Sequence, residues 1–349
     1  MNQPKKPFKV NKILVLLVLG LASFIVYFLM FVDSASFIEV ISQTNLAVYA
    51  FAFAAYFVGI FCSSIVWHSL LNNLAIKTTL KASFLFTWVG LFFDATIPQL
   101  GLSGDLARTY LFSKASNESA GRIGASVIGQ KLMVITVTVV TFSAGLILVL
   151  LNYVMSTLTT VLVLTFLALS ILSLFIIYYV SVRPKATDAL LRLIVKIARV
   201  FRKNWNPEGF VLNATETLGR FHEGIQLLKA KPKALVQPAV FSVFSWMLDI
   251  GVMFLVFTAL GYPVPVDKVL IVYTLTGTLQ AVGLAIFGIN EIIMIESFKA
   301  LGILPVLSIS VTLLTRAVTL WFRLIVAYGA FQWTGIKLIR QKDTSALTV

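Results

Sequence analysis

The sequence is poor in charge, in cysteine and in histidine. Charged residues are 12% of the 349, where ordinary soluble domains carry about 25%. Hydrophobic residues are 59%, above the usual range of about 45–50%. One water-soluble core cannot hide that much apolar surface, which excludes a soluble fold. The single cysteine, Cys62, excludes a disulfide framework within the chain. With only His68 and His222 beside it, no Cys/His metal site is expected. Cys62 stands inside an apolar run and reads as a small buried hydrophobe. The sequence also lacks a Walker loop, an HExxH pair and a GxSxG serine. Asp188 and Glu208 form no acid–base dyad, so neither a cofactor nor a nucleic-acid partner is expected.

What the sequence does hold is long apolar runs. Residues 13–32 and 158–182 carry no charge, and residues 46–71 carry His68 as their one titratable group apart from tyrosine and cysteine. About 20 such residues cross a bilayer as a helix. The fold class is therefore an all-α, polytopic membrane protein. Six full spans are predicted: 13–32, 46–71, 124–151, 158–182, 235–260 and 304–336. Lys5, Lys6, Lys9 and Lys12 precede the first run in the manner of a signal peptide. That run is long for a signal sequence, and it reads as a retained span.

Two further apolar stretches, 82–112 and 269–300, are interrupted by glycine, proline and acid. If both return to the side they entered from, 22 of the 28 Lys/Arg fall on one side, in 1–12, 72–81, 113–123, 181–234 and the tail after 336. By the positive-inside rule that side is the cytoplasm, with both termini on it. The opposite side holds Lys268 and Lys299, while Arg108, Lys131, Arg316 and Arg323 lie at or near membrane depth. The chain then reads twice as span, span, broken hairpin, long charged span. The first repeat is 1–151; the second, inverted because three spans precede it, is 152–349 with a basic cytoplasmic insertion at 181–234. Inverted repeats with discontinuous helices are a recurrent transporter architecture. The alternative is eight ordinary spans.

The breaks carry the candidate chemistry. The first has Pro98, Gly101 and Gly104, followed by Asp105 and Arg108. A helix restarting after Ser103 aims its first amides at the break, and such an end binds anions. Arg108, one turn beyond Asp105, is suited to clamping phosphate. The second break has Gly283 and Gly288, with Glu291 in the place of Asp105. Lys131 stands 26 residues past Asp105, and Arg316 stands 25 past Glu291. These spacings make Lys131 the expected partner of Asp105 and Arg316 that of Glu291. Each pair reads either as a substrate contact or as a structural strut. Asp249 and Arg323 lie inside spans with no partner evident, and Asp94 and Glu296 flank the breaks. In the insertion, Arg192, Lys196, Arg199 and Lys203 fall on one helix face. That face reads either as an interfacial helix facing anionic lipid or as a solvated linker.

Three segments carry a family resemblance: TIPQLGLSGDLARTYLF at 96–112, SVIGQKLMVITVTVV at 126–140, and GLAIFGINEIIMIESFKALGI at 283–303 followed by LLTRAV. They resemble the flippase-like membrane family, the transmembrane region of lysylphosphatidylglycerol synthases and its stand-alone relatives. One departure is that no proline precedes Gly288 in Leu284-Ala285-Ile286-Phe287. The resemblance implies movement of polar or anionic lipid between leaflets of the cytoplasmic membrane. Arg108, Lys131, Arg316, Asp105 and Glu291 would then form the substrate site. Expected partners are anionic membrane lipids and a lipid-synthesising enzyme. No aminoacyl-transferring domain is expected after Val349, so synthase activity is not carried over. The competing readings are a membrane-embedded lipid-modifying transferase and an ion-coupled transporter of a small metabolite.

Overall fold

The structure, a computed structural model, describes residues 34–97, 102–152, 157–201, 206–281 and 288–346. Among these residues the regular elements are all helical. In order they are α1 (Ser34–Ser42), α2 (Leu46–Asn73), α3 (Leu80–Thr96), α4 (Ser103–Ser116), α5 (Ala120–Asn152), α6 (Thr157–Val182) and α7 (Pro184–Phe201). Then come α8 (Glu208–Ala230), a 3₁₀ turn at Pro232–Leu235, α9 (Val236–Ala259), α10 (Val266–Ala281), α11 (Ile289–Ala300), α12 (Pro305–Arg316), a π-helical segment at Ala317–Phe322 and α13 (Arg323–Ala346).

Four helical stretches are long and apolar enough to cross a membrane: Leu46–Asn73, Ala120–Leu148, Pro232–Ala259 and Pro305–Thr334. Four of the six expected spans fall on these stretches. Span 13–32 lies outside the described residues. Span 158–182 corresponds to α6, which is long and apolar enough only together with α7, as one bent pair. Pro184 has no N–H to give to the preceding turn, so it interrupts the helix there. The axes of α6 and α7 meet at 100°. On α7, Arg192, Lys196 and Arg199 are exposed; Lys203 lies outside the described residues.

Helix α2 is the spine of the molecule. Asn45 caps its start, its side-chain oxygen accepting from the amides of Ala47 and Val48. It runs antiparallel to α9 over its whole length. The Asn45 amide donates to the Ala259 carbonyl at 2.7 Å, the Ser245 hydroxyl to the Gly59 carbonyl at 2.9 Å, and the Asn73 side chain to the Ala234 carbonyl at 3.0 Å. Gly59 sits mid-helix, where a Cβ would touch Leu248 at 3.4 Å. A small residue lets the two backbones approach there.

Two apolar clusters share α2. One joins Tyr56 to Trp88, Val256, Phe257 and Phe298. The other joins Trp67, Leu70 and Leu71 to Phe86, Phe112, Ile123 and Ile225. Outward-facing positions such as Phe51, Phe175 and Ile325 are apolar and exposed, as expected where lipid is the solvent.

Each of two short helix pairs leans on a long helix from the other half of the chain. Helices α3 and α4 fold back on each other, Gly90 against Gly104. Helix α3 also packs on α13, where Phe92 stacks on Phe331 with ring centroids 4.9 Å apart. Helices α10 and α11 pack on each other in the same way, and α10 lies on α5, with Leu270 against Gly145. Helix α8 docks on the start of α5 at Gly121, where a Cβ would come within 2.1 Å of the Thr217 carbonyl.

Candidate functional site

Among the described residues, the sequence-predicted charged residues lie in or beside two polar cavities on either side of the middle of α2. The first, about 240 Å³, is bounded by α2, α3, α4 and α5, and its polar wall includes Ser63, Asp94, Asp105, Arg108, Gln130 and Lys131. Asp105 is its hub. One carboxylate oxygen accepts from Arg108 Nη2 at 2.9 Å, and the other from Lys131 Nζ at 2.8 Å. Arg108 also donates from Nη1 to Gln130 Oε1 at 3.0 Å. Gln130 is in turn fixed by the Ser63 carbonyl at 2.9 Å. The Arg108 guanidinium lies 4.9 Å from the centre of the Trp67 ring, a cation–π contact that holds its plane. Arg108 is 8% exposed, yet its Nε has no hydrogen-bond partner among the described residues.

The helix end expected to receive an anion already holds one. Asp94 accepts from the Gly104 amide at 2.7 Å and from the Ser103 hydroxyl at 3.1 Å. Its negative charge suits the positive end of the α4 dipole. In the sequence Asp94 merely flanks the break, with nothing to mark it as a cap. Of the break residues, Gly104 lies in the first turn of α4, while Pro98, Gly101 and Gly283 lie outside the described residues.

The second cavity, about 130 Å³, is bounded by α2, α9, α10, α11, α12 and the start of α13. Its wall includes Tyr56, Asp249, Tyr273, Asn290, Arg316 and Arg323. Behind it, Glu291 is buried at 2% exposure. Its carboxylate accepts from Arg316 Nε at 2.5 Å and from the Gly288 amide at 2.6 Å. Gly288 has φ +93°, a conformation that favours glycine. It opens α11 so that Glu291 can reach back to that amide. The Tyr273 hydroxyl donates to Asp249. The π segment lies between Arg316 and Arg323, and both arginines face the same cavity. Such segments widen a helix locally and are frequent at functional sites. The Tyr49 hydroxyl donates to the Leu314 carbonyl at 2.9 Å, just before this segment.

The structure thus brings Asp105 to Lys131 and Glu291 to Arg316. It does not join the two groups. Tyr56 in one wall and Ser63 in the other stand seven residues apart on α2, about 10 Å along a helix. Each group has two acids and two bases: Asp94 and Asp105 with Arg108 and Lys131, and Asp249 and Glu291 with Arg316 and Arg323. Buried charge in lipid is tolerated where it is paired, as at Asp105 and at Glu291. Asp249 and Arg323, for which the sequence suggested no partner, belong to the second group. Glu296 pairs with Lys299 at 2.8 Å, at the exposed end of α11. His68 hydrogen-bonds Ser83 and Asn72, and His222 hydrogen-bonds Thr187, away from both cavities.

Membrane-length apolar helices around two cavities lined by acids and bases define a multi-pass helical membrane protein. The chain belongs to the lysylphosphatidylglycerol synthase TM region family, whose family model matches residues 13–327. It is similar to a UPF0104 membrane protein of Methanocaldococcus jannaschii, 26% identical over 331 residues, covering 92% of this chain and 95% of the relative. It is also similar to UPF0104 membrane proteins of Pyrococcus horikoshii, 22% identical over 295 residues, and of Methanothermobacter thermautotrophicus, 22% identical over 280. These matches cover 81% and 77% of this chain, and 86% and 80% of the relatives. No solved structure matches the chain.

Proposed function

We propose that the protein is a lipid translocase that carries a polar or anionic lipid between the leaflets of the cytoplasmic membrane. The observation that carries this reading is the pair of charged cavities inside an apolar helical body. A head group is the part of a lipid that hydrocarbon rejects, so a route across needs polar shelter for the head alone. Arg108 and Arg323, each with a buried Nε that has no partner among the described residues, are donors suited to a phosphate oxygen. Carboxylates hold Arg108, Lys131 and Arg316 when no lipid is present, so these are not lone buried charges.

The packing supports an inverted repeat. In this reading α2 corresponds to α9, α3–α4 to α10–α11, and α5 to α12–α13. The corresponding helices α2 and α9 run antiparallel. Helix α3 packs on α13 as α10 packs on α5. In each half the acid that opens the second hairpin arm pairs with a base on the next long helix. The two hairpins are then re-entrant, entering from opposite sides, with the Asn73 end of α2 cytoplasmic. The cavity at Asp105 serves the cytoplasmic leaflet and the cavity at Arg323 the other.

The test is reconstitution into liposomes with fluorescent phosphatidylglycerol in both leaflets and an impermeant quencher outside. Wild type is expected to expose inner-leaflet lipid faster than protein-free liposomes do. Arg108→Ala is expected to slow this at least about tenfold, the loss when a charge-assisted hydrogen bond of about 1.5–3 kcal/mol goes. Wild type no faster than empty liposomes would overturn the function. Arg108→Ala as fast as wild type would overturn the site.

A further inference from the structure

We propose that Asp249 is a proton-binding site whose filling is tied to the anion in the same cavity, so that one proton travels with each anionic head group. This rests on the proposed role of the second cavity as a head-group site.

Asp249 lies in the middle of α9 and is the one acid on that helix. The titratable and charged groups that face it are Tyr56 from α2, Tyr273 from α10, Arg316 from α12 and Arg323 from α13, with Glu291 of α11 behind Arg316; α5, which also packs on α9, adds none to the cavity wall. The two acids of this group are held differently. Glu291 is held by the Arg316 guanidinium and the Gly288 amide. Asp249 receives the neutral hydroxyl of Tyr273, and among the described residues no cation lies within ion-pair distance of it. Arg323 lines the same cavity, and among the described residues its buried Nε has no hydrogen-bond partner, nor have Asn290 Oδ1 and Thr315 Oγ1. The cavity therefore holds an acid without an ion pair and a guanidinium donor without an acceptor, facing one space.

The charge balance decides how the cavity responds to an anion. With Asp249 ionised, Asp249 and Glu291 balance Arg316 and Arg323. A phosphodiester on Arg323 and Arg316 adds one negative charge in a low-dielectric space, where like charges interact strongly. A nearby anion raises the proton affinity of an acid. Asp249 is the acid that responds, because Glu291 stays neutralised by Arg316. The proton comes from water and forms a bond to Oδ1, while the Tyr273 hydroxyl remains on Oδ2. Neutrality is restored, and anion and proton leave together. By linkage each raises the affinity of the other by the same factor. A proton gradient can then drive the lipid in one direction.

Asp249 thus holds its proton more tightly with the anion bound than without it. In the pH range where the free protein has lost that proton and the anion-bound protein keeps it, binding takes up one proton. Anion affinity there falls about tenfold for each unit rise in pH.

The experiment uses purified full-length protein in detergent micelles and dihexanoyl-phosphatidylglycerol as the probe. Protons are followed with an indicator dye in weakly buffered solution. Wild type is expected to take up one proton per bound probe, with the tenfold pH dependence. Asp249→Asn keeps the shape and a hydrogen-bonding group for Tyr273, and is expected to bind with neither. Wild-type stoichiometry decides the matter even where the variant does not fold. Binding without proton uptake, or uptake that persists in Asp249→Asn, would overturn the proposal and leave the head-group site standing. Absence of binding would overturn the head-group reading and this inference with it.

Discussion

Replacing Arg316 with alanine is expected to cost about 3–5 kcal/mol of stability, the range for removing one partner of a buried ion pair. The Glu291 side chain is 3% exposed and that of Arg316 13%. Without the guanidinium, Glu291 keeps one donor, the Gly288 amide. Its charge then sits in an apolar cluster with no counter-ion bonded to it. The double variant Arg316→Ala with Glu291→Gln removes both charges and is expected to recover most of the lost stability. It is not expected to recover transport, because the second cavity then has one guanidinium where it had two. Unfolding in mixed micelles measures the first effect and liposome transport the second. Equal stability of the single variant and wild type would show that the pair is no strut. Full transport by the double variant would remove Arg316 from the substrate path.

The second large effect concerns Gly104. A Cβ there would fall 2.3 Å from the Gly90 carbonyl oxygen and 2.5 Å from the Asp94 carboxylate. Neither can retreat easily, since one is helix backbone and the other caps α4. Gly104→Ala is expected to cost about 1–3 kcal/mol, as overpacking does. It should also pry α4 from α3, so that Asp105 and Arg108 shift away from Lys131 and Gln130. Transport is expected to fall with it. Gly219, in α8, is the control: nothing lies within 4 Å of its Cβ position. Gly219→Ala is expected to leave transport unchanged and to add up to about 1 kcal/mol from helix propensity. Unfolding midpoints measured side by side separate the two, and equal behaviour of the variants would show that the α3–α4 contact does not matter.

The pairs Asp105–Lys131 and Glu291–Arg316 were legible in the sequence for a physical reason. An acid opening the second arm of a hairpin and a base on the next long helix are joined by one short turn. Their spacing is therefore set by helix length. The membrane-length helices were legible from their long apolar runs, in which charge is sparse. What could not be read depended on packing between distant parts of the chain. Asp94 acts as a cap because α3 lies back along α4, and nothing local marks it. Asp249, Tyr273 and Arg323 share a cavity across three helices that sequence spacing does not relate. The π segment at Ala317–Phe322 has neither glycine nor proline to announce it. The 100° turn after α6 was half visible: Pro184 marks a break but not its angle.

Translocation by this route requires two cavities that open toward opposite sides of the membrane, and the chain suits a direct test. With Cys62→Ser as background, single cysteines can be placed at Val134, which lines the first cavity, and at Thr319, which lines the second. Oriented vesicles are then treated with an impermeant maleimide from one side at a time. The expected result is that Val134→Cys reacts from the cytoplasmic side and Thr319→Cys from the opposite side. Reaction of both from the same side would contradict the inverted arrangement and, with it, the translocation route.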